Sequence, residues 1–449
     1  MSKNFQRTPE QIALSEERKA KRQKLQDQPP PPDIQQNTGS ILSRPWINLG
    51  RTDNQEGTRV KLMTWNLLAQ CLVRRELFPT SNCLKGAQRQ PMLHTEILAQ
   101  NADIMCLQEV DSLDKLLPAL EAADYDHHYV AGPGKKHGCL VAFKKTYSKV
   151  EERVIHYDEQ HVRSGGDETR LTFSHRSRGS TFKTRNIASL IALKNLSRGG
   201  EGVVIGTTHL FWHPRYTYER TRQAGILVRE IVKFRSDLHL ENWPCMIAGD
   251  FNFSPNDAGY SLLVGDQLST EQREQLEFSR VVHVSIDPSV PPTTGTPLRD
   301  DENEAVDPDR VMTNARHAIP ADGLLSDEEL VSLFPSTSTV WSAYDEGLRK
   351  HADKSTDLQT FGNRMSLPRS IKGYHEPEYT SYTHYWKARL NYIFILTDRP
   401  AIVEGLLSPH NAQDLVPGLP QKGVCGSDHV SLCAEILFIL PNSNRDESP

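Results

Sequence analysis

The stretch Met246–Pro255, which reads M-I-A-G-D-F-N-F-S-P, decides how the chain is interpreted. Its apolar start is typical of a buried strand, and the apolar run stops at Gly249. Side chains alternate along an extended chain, so Asp250 and Asn252 share one side while Phe251 lies on the other. An acid and an amide are therefore predicted side by side where a core strand reaches the surface.

The stretch has two interpretations, and on its own it leaves both open. The first is a turn from a strand into a helix, since Gly, Asp and Asn all favour turns. Ser254 and Pro255 are then typical of an N-cap and a first helical residue. The second is chemical: Asp250 orients or activates a water, and Asn252 binds a phosphate oxygen or helps to place a metal ion.

Length, composition and charge limit the class of protein. The chain has 449 residues, enough for a large core, and its hydrophobic content of 37% predicts solvated tails or insertions. The net charge of −5 gives no overall sign of nucleic-acid binding, although it is compatible with a basic cleft. Seven cysteines without a C-x-x-C pair indicate reduced, mostly buried thiols in an intracellular protein. No apolar run approaches the roughly 18 residues of a membrane span, and no signal peptide is visible.

Pattern and composition divide the chain into one domain and two tails. The predicted parts are a disordered, basic and proline-rich tail (1–45), one folded domain (58–440) with polar insertions near 158–184 and 288–373, and a disordered tail (441–449). The basic cluster Arg18–Lys24 is either a nuclear-import or RNA-backbone patch or a solvated helix face. We expect the protein in the nucleus and/or the cytoplasm.

Polar side chains recur at the boundaries of the predicted strands. These residues are Asn66, Glu109, His209, Asp250 with Asn252, Asn391, and Asp428 with His429. Any one of them alone is commonly a strand-end acid, a turn former or a hydrogen-bonded core histidine. Together, their carboxylates and amides suit Mg²⁺, a hard ion that prefers oxygen ligands, whereas no His/Cys spacing indicates zinc. Two imidazoles, a metal and an acid–amide pair are the parts needed for in-line attack of water on a phosphodiester.

Six motifs occur in a recognisable order along the chain. They are T-W-N-L-L (64–68), L-Q-E-V-D (107–111), T-H-L (208–210), G-D-F-N (249–252), L-N-Y-I-F (390–394) and S-D-H (427–429). Through them the chain resembles the endonuclease/exonuclease/phosphatase superfamily, and more closely the deadenylase-related branch with nocturnin, Angel and the fungal Ngl-type RNA exonucleases. The resemblance implies an α/β fold, a four-layer α/β/β/α sandwich of two mixed sheets flanked by helices, with the active site at one end.

The resemblance also implies a metal site and a substrate clamp. Glu109 is expected to be the main ligand of Mg²⁺, for which Mn²⁺ can substitute, while Asn66 and Asp428 support the metal. In the deadenylase branch a proline and an aromatic residue clamp a terminal base, and Pro214 and Trp386 fall at those places. A stacked base is worth about 1–3 kcal/mol. Ordinary packing of both residues is the other interpretation.

The remaining roles concern the transferred phosphate. Asp250 is expected to orient or deprotonate the water, Asn252 to hold the phosphate, and His209 and His429 to stabilise the transition state. The family has Asp where this chain has Asn391, and that acid orients the active-site histidine. Asn can still hydrogen-bond an imidazole, but it carries no charge, so the substitution weakens the prediction of full catalytic power.

The sequence therefore predicts a Mg²⁺-dependent 3′→5′ exoribonuclease that releases 5′ mononucleotides. Its expected role is RNA 3′-end processing, of ribosomal RNA or by poly(A) trimming, as a monomer that binds RNA and has no leucine-rich-repeat scaffold. One alternative is a phosphatase or phosphodiesterase that acts on a small molecule. The other is an RNA-binding protein of the same fold that lost turnover through Asn391.

Overall fold

The computed structural model describes residues 39–52, 55–163, 178–197, 201–292, 311–334, 340–352, 358–396 and 399–439. The basic cluster and most of both predicted tails lie outside the described residues. So do residues 164–177 of the first predicted insertion and 293–310, 335–339 and 353–357 of the second.

Strands dominate the described part of the chain. They are β1 (Trp46–Asn48), β2 (Gly57–Asn66), β3 (Ile104–Val110), β4 (Tyr125–Ala131), β5 (Gly138–Lys144), β6 (Tyr147–His156), β7 (Ile187–Asn195), β8 (Gly202–His209), β9 (Cys245–Asp250), β10 (Val281–His283), β11 (Ala315–His317), β12 (Val340–Ser342), β13 (Ser381–Tyr382), β14 (Lys387–Ala388), β15 (Asn391–Leu396), β16 (Ala401–Leu407) and β17 (Leu432–Ile439). The α-helices are α1 (Gly86–Ala99), α2 (Leu113–Ala122), α3 (Thr217–Asp237), α4 (Ala258–Leu263), α5 (Thr270–Phe278), α6 (Asp327–Ser332), α7 (Ala343–Ala352) and α8 (Phe361–Arg364).

Two mixed sheets form the framework. One has seven strands in the order β1-β16-β17-β2-β3-β5-β4, and the other has six in the order β12-β15-β9-β8-β7-β6. Each contains one parallel pair, β2 with β3 and β8 with β9, and its other pairs are antiparallel. Two further ladders, β10 with β11 and β13 with β14, have two strands each.

Apolar side chains fill three layers between these elements. Ile104 and Ile205 belong to the cluster between the sheets, to which both contribute. Leu93 of α1 packs with the outer face of the seven-stranded sheet, and Leu227 of α3 with that of the six-stranded sheet. Burying such a side chain fully is worth about 1.5–3 kcal/mol, so the layers supply the main stabilisation. This arrangement confirms the predicted four-layer α/β/β/α sandwich.

The chain enters the sheet earlier than residue 58. β1 pairs with β16 in an antiparallel register that sets Trp46 opposite Leu407. Just before it, Arg44 is buried, forms an ion pair with Glu96 of α1 and donates a hydrogen bond to Ser431 O at 2.9 Å. A strand of three residues is too short to show alternation, so the pattern of apolar residues does not predict β1.

Part of the second predicted insertion belongs to the core. β12 is an edge strand of the six-stranded sheet, where it pairs with β15. α7 follows directly, and its Tyr344 is fully buried, with its hydroxyl donating to Leu407 O at 2.8 Å. The first predicted insertion is also anchored, since Thr181 is buried and donates to Glu219. Polar anchors of this kind produce no apolar period in the sequence.

The helix after Asp250 begins later than expected. α4 starts at Ala258 with Asp257 as its N-cap, not with Ser254. The Asp257 carboxylate accepts a hydrogen bond from Ser254 N at 2.6 Å, so the intervening residues form a turn first. No helix within the described residues is both long and apolar enough to cross a bilayer.

Candidate active site

Sheet topology brings the predicted strand-end residues to one end of the sandwich. The parallel strands β2 and β3 run side by side and end there, as do β8 and β9. β15 is antiparallel to β9, so it begins where β9 ends, with Asn391 opposite Asp250. His209 is opposite Asp250 on the other side. β17 is antiparallel to β2, so the residues just before it, including His429, reach the same end.

Asn66 connects the two sheets. Its side chain is buried, and Nδ2 donates to Glu109 Oε1 at 3.1 Å and to Asp250 Oδ2 at 2.9 Å. Its Oδ1 accepts a hydrogen bond from Leu68 N at 3.0 Å. One amide therefore fixes the separation between the carboxylate at the end of β3 and the carboxylate at the end of β9.

Glu109 is held in an unusual backbone conformation. Its φ is +55°, in the left-handed region, and the register of β3 against β5 shifts between Leu107 and Val110. Such a conformation costs a non-glycine residue about 1–3 kcal/mol and persists only where the surroundings enforce it. The carboxylate is held by Ala69 N, which donates to Oε2 at 2.9 Å, and by Asn66. The register shift in β3 thus directs the Glu109 side chain towards Asn66 and the other site residues.

Asp250 occupies the centre of the site and is almost fully buried. Its Oδ2 lies 3.8 Å from His209 Nε2 and 3.7 Å from His429 Nε2. Its Oδ1 accepts Asn252 N at 3.1 Å. Asn252 has φ +52°, which an asparagine tolerates, and its Nδ2 donates to Leu210 O at 3.0 Å. The chain is therefore not extended at Asn252, and Phe251 packs in the apolar core.

His209 is neutral at neutral pH. Burial lowers its pKa to about 4, and the Asp250 carboxylate opposes that shift while Lys135, His137 and His429 add to it. Its Nδ1 lies 4.0 Å from Glu109 Oε1. A neutral imidazole can still donate one hydrogen bond to a phosphate oxygen.

His429 is oriented by Asn391. Its Nδ1 lies 2.7 Å from Asn391 Oδ1, so a protonated Nδ1 donates to the amide oxygen and leaves Nε2 directed towards Asp250. Asn391 is fully buried, and its Nδ2 has no hydrogen-bond partner among the described residues. An unsatisfied buried donor costs about 1–3 kcal/mol. A carboxylate at this position would have no such donor.

Asp428 lies beside this pair. Burial raises the pKa of its carboxyl, and the charge of Glu109 adds to that effect, while His429 and Arg89 oppose it. Ser427 Oγ lies 3.4 Å from Asp428 Oδ1. The Asp428 carboxylate thus interacts electrostatically with both His429 and Glu109, and its support of a metal stays a prediction.

The donor set suits a divalent ion that keeps much of its own water. No group of three His, Cys, Asp or Glu side chains in the described part of the chain is arranged as a metal cage. Each Glu109 oxygen accepts one hydrogen bond and retains a second acceptor position, and Asn66 Oδ1 does so too. Mg²⁺ is commonly bound by one or two carboxylates, waters and substrate phosphates. Glu109 and Asn66 therefore fit such an ion.

A basic groove beside His209 was not predicted. Lys135 Nζ donates to Asn186 Oδ1 at 3.2 Å, and Asn186 Nδ2 donates to His209 O at 2.5 Å. Arg185 and His137 help to line the same open groove. Burial lowers the pKa of Lys135, and the charge of Arg185 adds to that effect. The run P-G-K-K-H-G at 133–138 was the available signal.

Buried arginines hold the loops around the site, and the sequence did not reveal them. Arg220 of α3 donates to Pro214 O at 2.7 Å. Arg389 donates to Asn391 O and forms a fully buried ion pair with Glu376 at 2.5 Å. A charged residue in a helix or strand pattern is usually solvated, so only long-range contacts distinguish these from surface arginines.

The predicted clamp residues occupy two different loops. Trp386 is half-buried, its indole N–H donates to Ser381 Oγ at 3.1 Å, and its ring meets Phe78 edge-on with centroids 6.1 Å apart. Ser381 bridges to His429, which places this loop next to the site. Pro214 is exposed on the loop after β8. A base clamp formed by the two remains a prediction.

Comparisons with known proteins agree with this geometry. The profile of the Endonuclease/Exonuclease/phosphatase family matches residues 63–429. A Schizosaccharomyces pombe protein named "Probable RNA exonuclease C9B6.11c" is 29% identical over 405 residues, covering 85% of this chain and 76% of the relative. The Saccharomyces cerevisiae RNA exonuclease NGL2 is 33% identical over 282 residues, covering 56% of this chain and 52% of the relative. The match thus spans about half the length of NGL2.

A solved structure shares the fold. The crystal structure of ANGEL2, a 2′,3′-cyclic phosphatase, in complex with adenosine-2′,3′-vanadate superposes with a TM-score of 0.58 at 20% identity. The match covers 89% of this chain and 100% of the ANGEL2 chain. At this identity the likeness concerns the fold alone.

Proposed function

We propose a function for this chain from the premise that it belongs to the endonuclease/exonuclease/phosphatase family of phosphate ester hydrolases. The proposed function is that of a Mg²⁺-dependent 3′→5′ exoribonuclease, which releases 5′ mononucleotides. The names of its fungal relatives support RNA as the substrate. The same proposal includes RNA 3′-end processing in the nucleus or cytoplasm, on ribosomal RNA or poly(A).

One observation carries the proposal: the Asp250 carboxylate at the end of β9 lies between two imidazoles, 3.8 Å and 3.7 Å away, and accepts a hydrogen bond from Asn66. The Asp250 carboxylate is buried and free of direct hydrogen bonds to either ring, so it can accept a proton from an attacking water. His209 and His429 each have a nitrogen directed towards the same space, where they can donate to phosphate oxygens as charge develops.

The other side chains position the substrate. Asn252, beside Asp250, can hold a phosphate oxygen, and Lys135 with Arg185 provides a cationic groove for a neighbouring phosphate of the RNA strand. A divalent ion held by Glu109 and Asn66 would supply Lewis-acid polarisation of the phosphate. Each of these groups acts on the phosphate rather than the base, which suits a nuclease with little sequence preference.

A second candidate rests on Asn391. Its unpartnered buried Nδ2 and the missing carboxylate weaken the support of His429, which favours an RNA-binding protein with little or no turnover. Phosphate release from a small molecule, the remaining alternative, has no observation of its own in this site.

Cleavage of a labelled oligoribonucleotide tests the proposal. A 5′-labelled RNA should give a ladder of shortening products with Mg²⁺, none with EDTA, and a much weaker ladder when a 3′-phosphate blocks the end. Asp250→Asn is the matched inactive control, because it keeps the side-chain size and an acceptor for Asn252 N. Binding without cleavage would favour the second candidate. Phosphate release from small substrates by the wild type, without RNA cleavage, would contradict the proposal.

A further inference from the structure

Arg89 on the first turn of α1 joins two site loops through their main chain. Its side chain is buried. Nε donates to Gly426 O at 2.7 Å, and Nη2 donates to Leu67 O and Leu68 O at 2.5 Å each. Nη1 donates to Gln70 Oε1 at 3.1 Å. One guanidinium therefore spans the turn after β2 and the turn before β17.

These two turns carry opposite halves of the site. We call residues 66–69 the metal turn, since Asn66 begins it and Ala69 N donates to the Glu109 carboxylate at 2.9 Å. We call residues 426–429 the histidine turn, since it ends at His429. Two further bonds connect the same region among the described residues: Ser427 Oγ donates to Asn66 O at 2.7 Å, and the Trp65 indole donates to His429 O at 2.8 Å. Arg89 adds the bonds that reach Leu67 O, Leu68 O and Gly426 O together.

Gly426 allows this contact. A Cβ at position 426 would lie 2.9 Å from Arg89 O, closer than real Cβ atoms approach, and 3.2 Å from the Leu93 side chain, which is a tight contact. The histidine turn therefore packs directly on the main chain of α1, at the residue whose side chain then binds Gly426 O. The contact between α1 and the histidine turn therefore depends on both Arg89 and Gly426.

We propose that Arg89 is a positioning residue that fixes the metal turn relative to the histidine turn. The inference rests on the proposed function, because it assigns those turns a shared reaction. A lysine cannot replace the arginine, since one ammonium group on a flexible stem cannot reach four acceptors that a planar guanidinium binds together. Arg89→Lys therefore keeps the positive charge near Asp428 and removes the set of hydrogen bonds that joins the two turns.

A matched control lies at the other end of the molecule. Arg235 of α3 is also buried and also donates to main-chain carbonyls, those of Glu241 and Trp243, the latter at 3.3 Å. These residues precede the start of β9, whereas Asp250 is at its end. Arg235→Lys therefore repeats the chemical change in a loop outside the site.

The test compares Mn²⁺ binding and RNA cleavage in full-length wild type, Arg89→Lys, Arg89→Met and Arg235→Lys. Electron paramagnetic resonance of free Mn²⁺ gives a Kd for the metal alone. We expect Arg89→Lys to raise that Kd about tenfold and to lower kcat roughly 10–100-fold, as the loss of groups that orient metal ligands typically does. KM for RNA should stay within about twofold of wild type, because the guanidinium binds three main-chain carbonyls and Gln70, none of which has a proposed role in holding the substrate. Arg235→Lys should leave the Mn²⁺ Kd, kcat and KM at their wild-type values.

Several outcomes would overturn the proposal. One is wild-type Mn²⁺ binding and kcat in Arg89→Lys. A defect in Arg89→Met that Arg89→Lys lacks would assign the effect to charge instead. If the wild type binds no Mn²⁺, the metal turn has no ion to hold, and the proposal is contradicted. If the wild type binds Mn²⁺ but cleaves no RNA, the proposed function fails while the Kd of Arg89→Lys still decides this inference.

A second variant covers the case in which Arg89→Lys does not fold. Gly426→Ala leaves the guanidinium in place and pushes the histidine turn off α1. Like Arg89→Lys, it should raise the Mn²⁺ Kd and lower kcat. Thermal unfolding checks that the variant is folded. A Gly426→Ala protein equal to wild type in both readouts would contradict the proposal.

Discussion

Asn391 is fully buried at the start of β15, with its amide oxygen bound to His429 and its amide nitrogen unpartnered among the described residues. Asn391→Asp would remove that donor and place a charge beside the imidazole. The charge stabilises protonated His429, so we expect faster single-turnover cleavage at neutral pH and activity that extends to higher pH. Each gain of about 1.4 kcal/mol in transition-state stabilisation is tenfold in rate.

Single-turnover pH–rate profiles of the wild type and the variant measure this effect. Asn391→Ser, which removes the amide without adding charge, is the control and should be slower than both. A profile for Asn391→Asp that is slower or unshifted at every pH would mean that the surroundings have adapted to the amide.

Glu109 offers a second residue-level test. Glu109→Gln keeps an oxygen for Ala69 N but removes the charge that a divalent ion needs, so Mg²⁺-dependent cleavage should fall by at least about a hundredfold. The thermal midpoint should stay near that of the wild type. Asp111→Asn is the matched control, because that acid is two residues away and binds Cys71 N at 2.9 Å. Equal activity of Glu109→Gln and wild type would disprove the metal site.

Trp386 tests the clamp. If its ring stacks a base, Trp386→Ala should weaken RNA binding by about 1–3 kcal/mol, while Trp386→Phe, which loses only the bond to Ser381, should retain most of the affinity. Fluorescence anisotropy with a labelled oligonucleotide in Ca²⁺ measures binding without cleavage. Unchanged affinity together with a loss of about 3–5 kcal/mol in the free energy of unfolding would show that the ring is a packing residue.

At the scale of elements, α7 carries a half-buried acid, Asp345. Burial beside Glu376 raises the pKa of Asp345 to about 6, although Gly373 N and His375 N donate to its carboxylate. The folded protein then binds this proton more tightly than the unfolded chain, so the contribution of Asp345 to stability falls as pH rises from about 4 to above 6. A pKa difference of about two corresponds to at most about 3 kcal/mol.

Denaturant unfolding of wild type and Asp345→Asn between pH 4 and pH 7 checks this sign. The free energy of unfolding of the wild type, relative to the variant, should decrease across that range, because the amide does not titrate. A constant difference between the two proteins would show that Asp345 does not titrate in this window.

The residues of the candidate site and the short strands show what sequence patterns can and cannot predict. Asn66, Glu109 and Asp250 were predictable because a polar residue interrupts an apolar run at a strand end, and a sheet brings strand ends together. Arg89 and Lys135 were not, since a charged residue on a helix or loop is usually solvated and its burial depends on loops far away in sequence. The short strand β12 carried too few residues for a period, although it lies in the six-stranded sheet.

At the scale of the whole molecule, the first described strand sets where the domain can be truncated. A chain lacking residues 1–38 should unfold at the wild-type midpoint and keep its Mg²⁺-dependent activity. A chain lacking residues 1–49 loses β1 and leaves Glu96 without Arg44, which should cost roughly 3–5 kcal/mol, as breaking a buried ion pair does. Equal stability of the two truncations would show that β1 contributes little.

The shorter truncation also tests the basic cluster at Arg18–Lys24. If this cluster contacts the RNA backbone, its removal should lower RNA affinity and reduce the slope of log affinity against log salt, since fewer counterions are released. Titrations at several salt concentrations measure that slope. An unchanged slope would assign the cluster to a solvated face or to another role.

Three buried arginines, Arg89, Arg220 and Arg389, have a consequence for proteolysis. Trypsin cleaves after arginine only when the chain can enter its cleft, and these side chains are held by loop carbonyls inside the protein. Under native conditions each of the three bonds is cut only when the segment that carries the arginine unfolds locally: α1 for Arg89, α3 for Arg220 and the residues before β15 for Arg389. Mass spectrometry of the tryptic peptides that end at these arginines would therefore measure, separately for each segment, how often the protein opens beside the candidate active site.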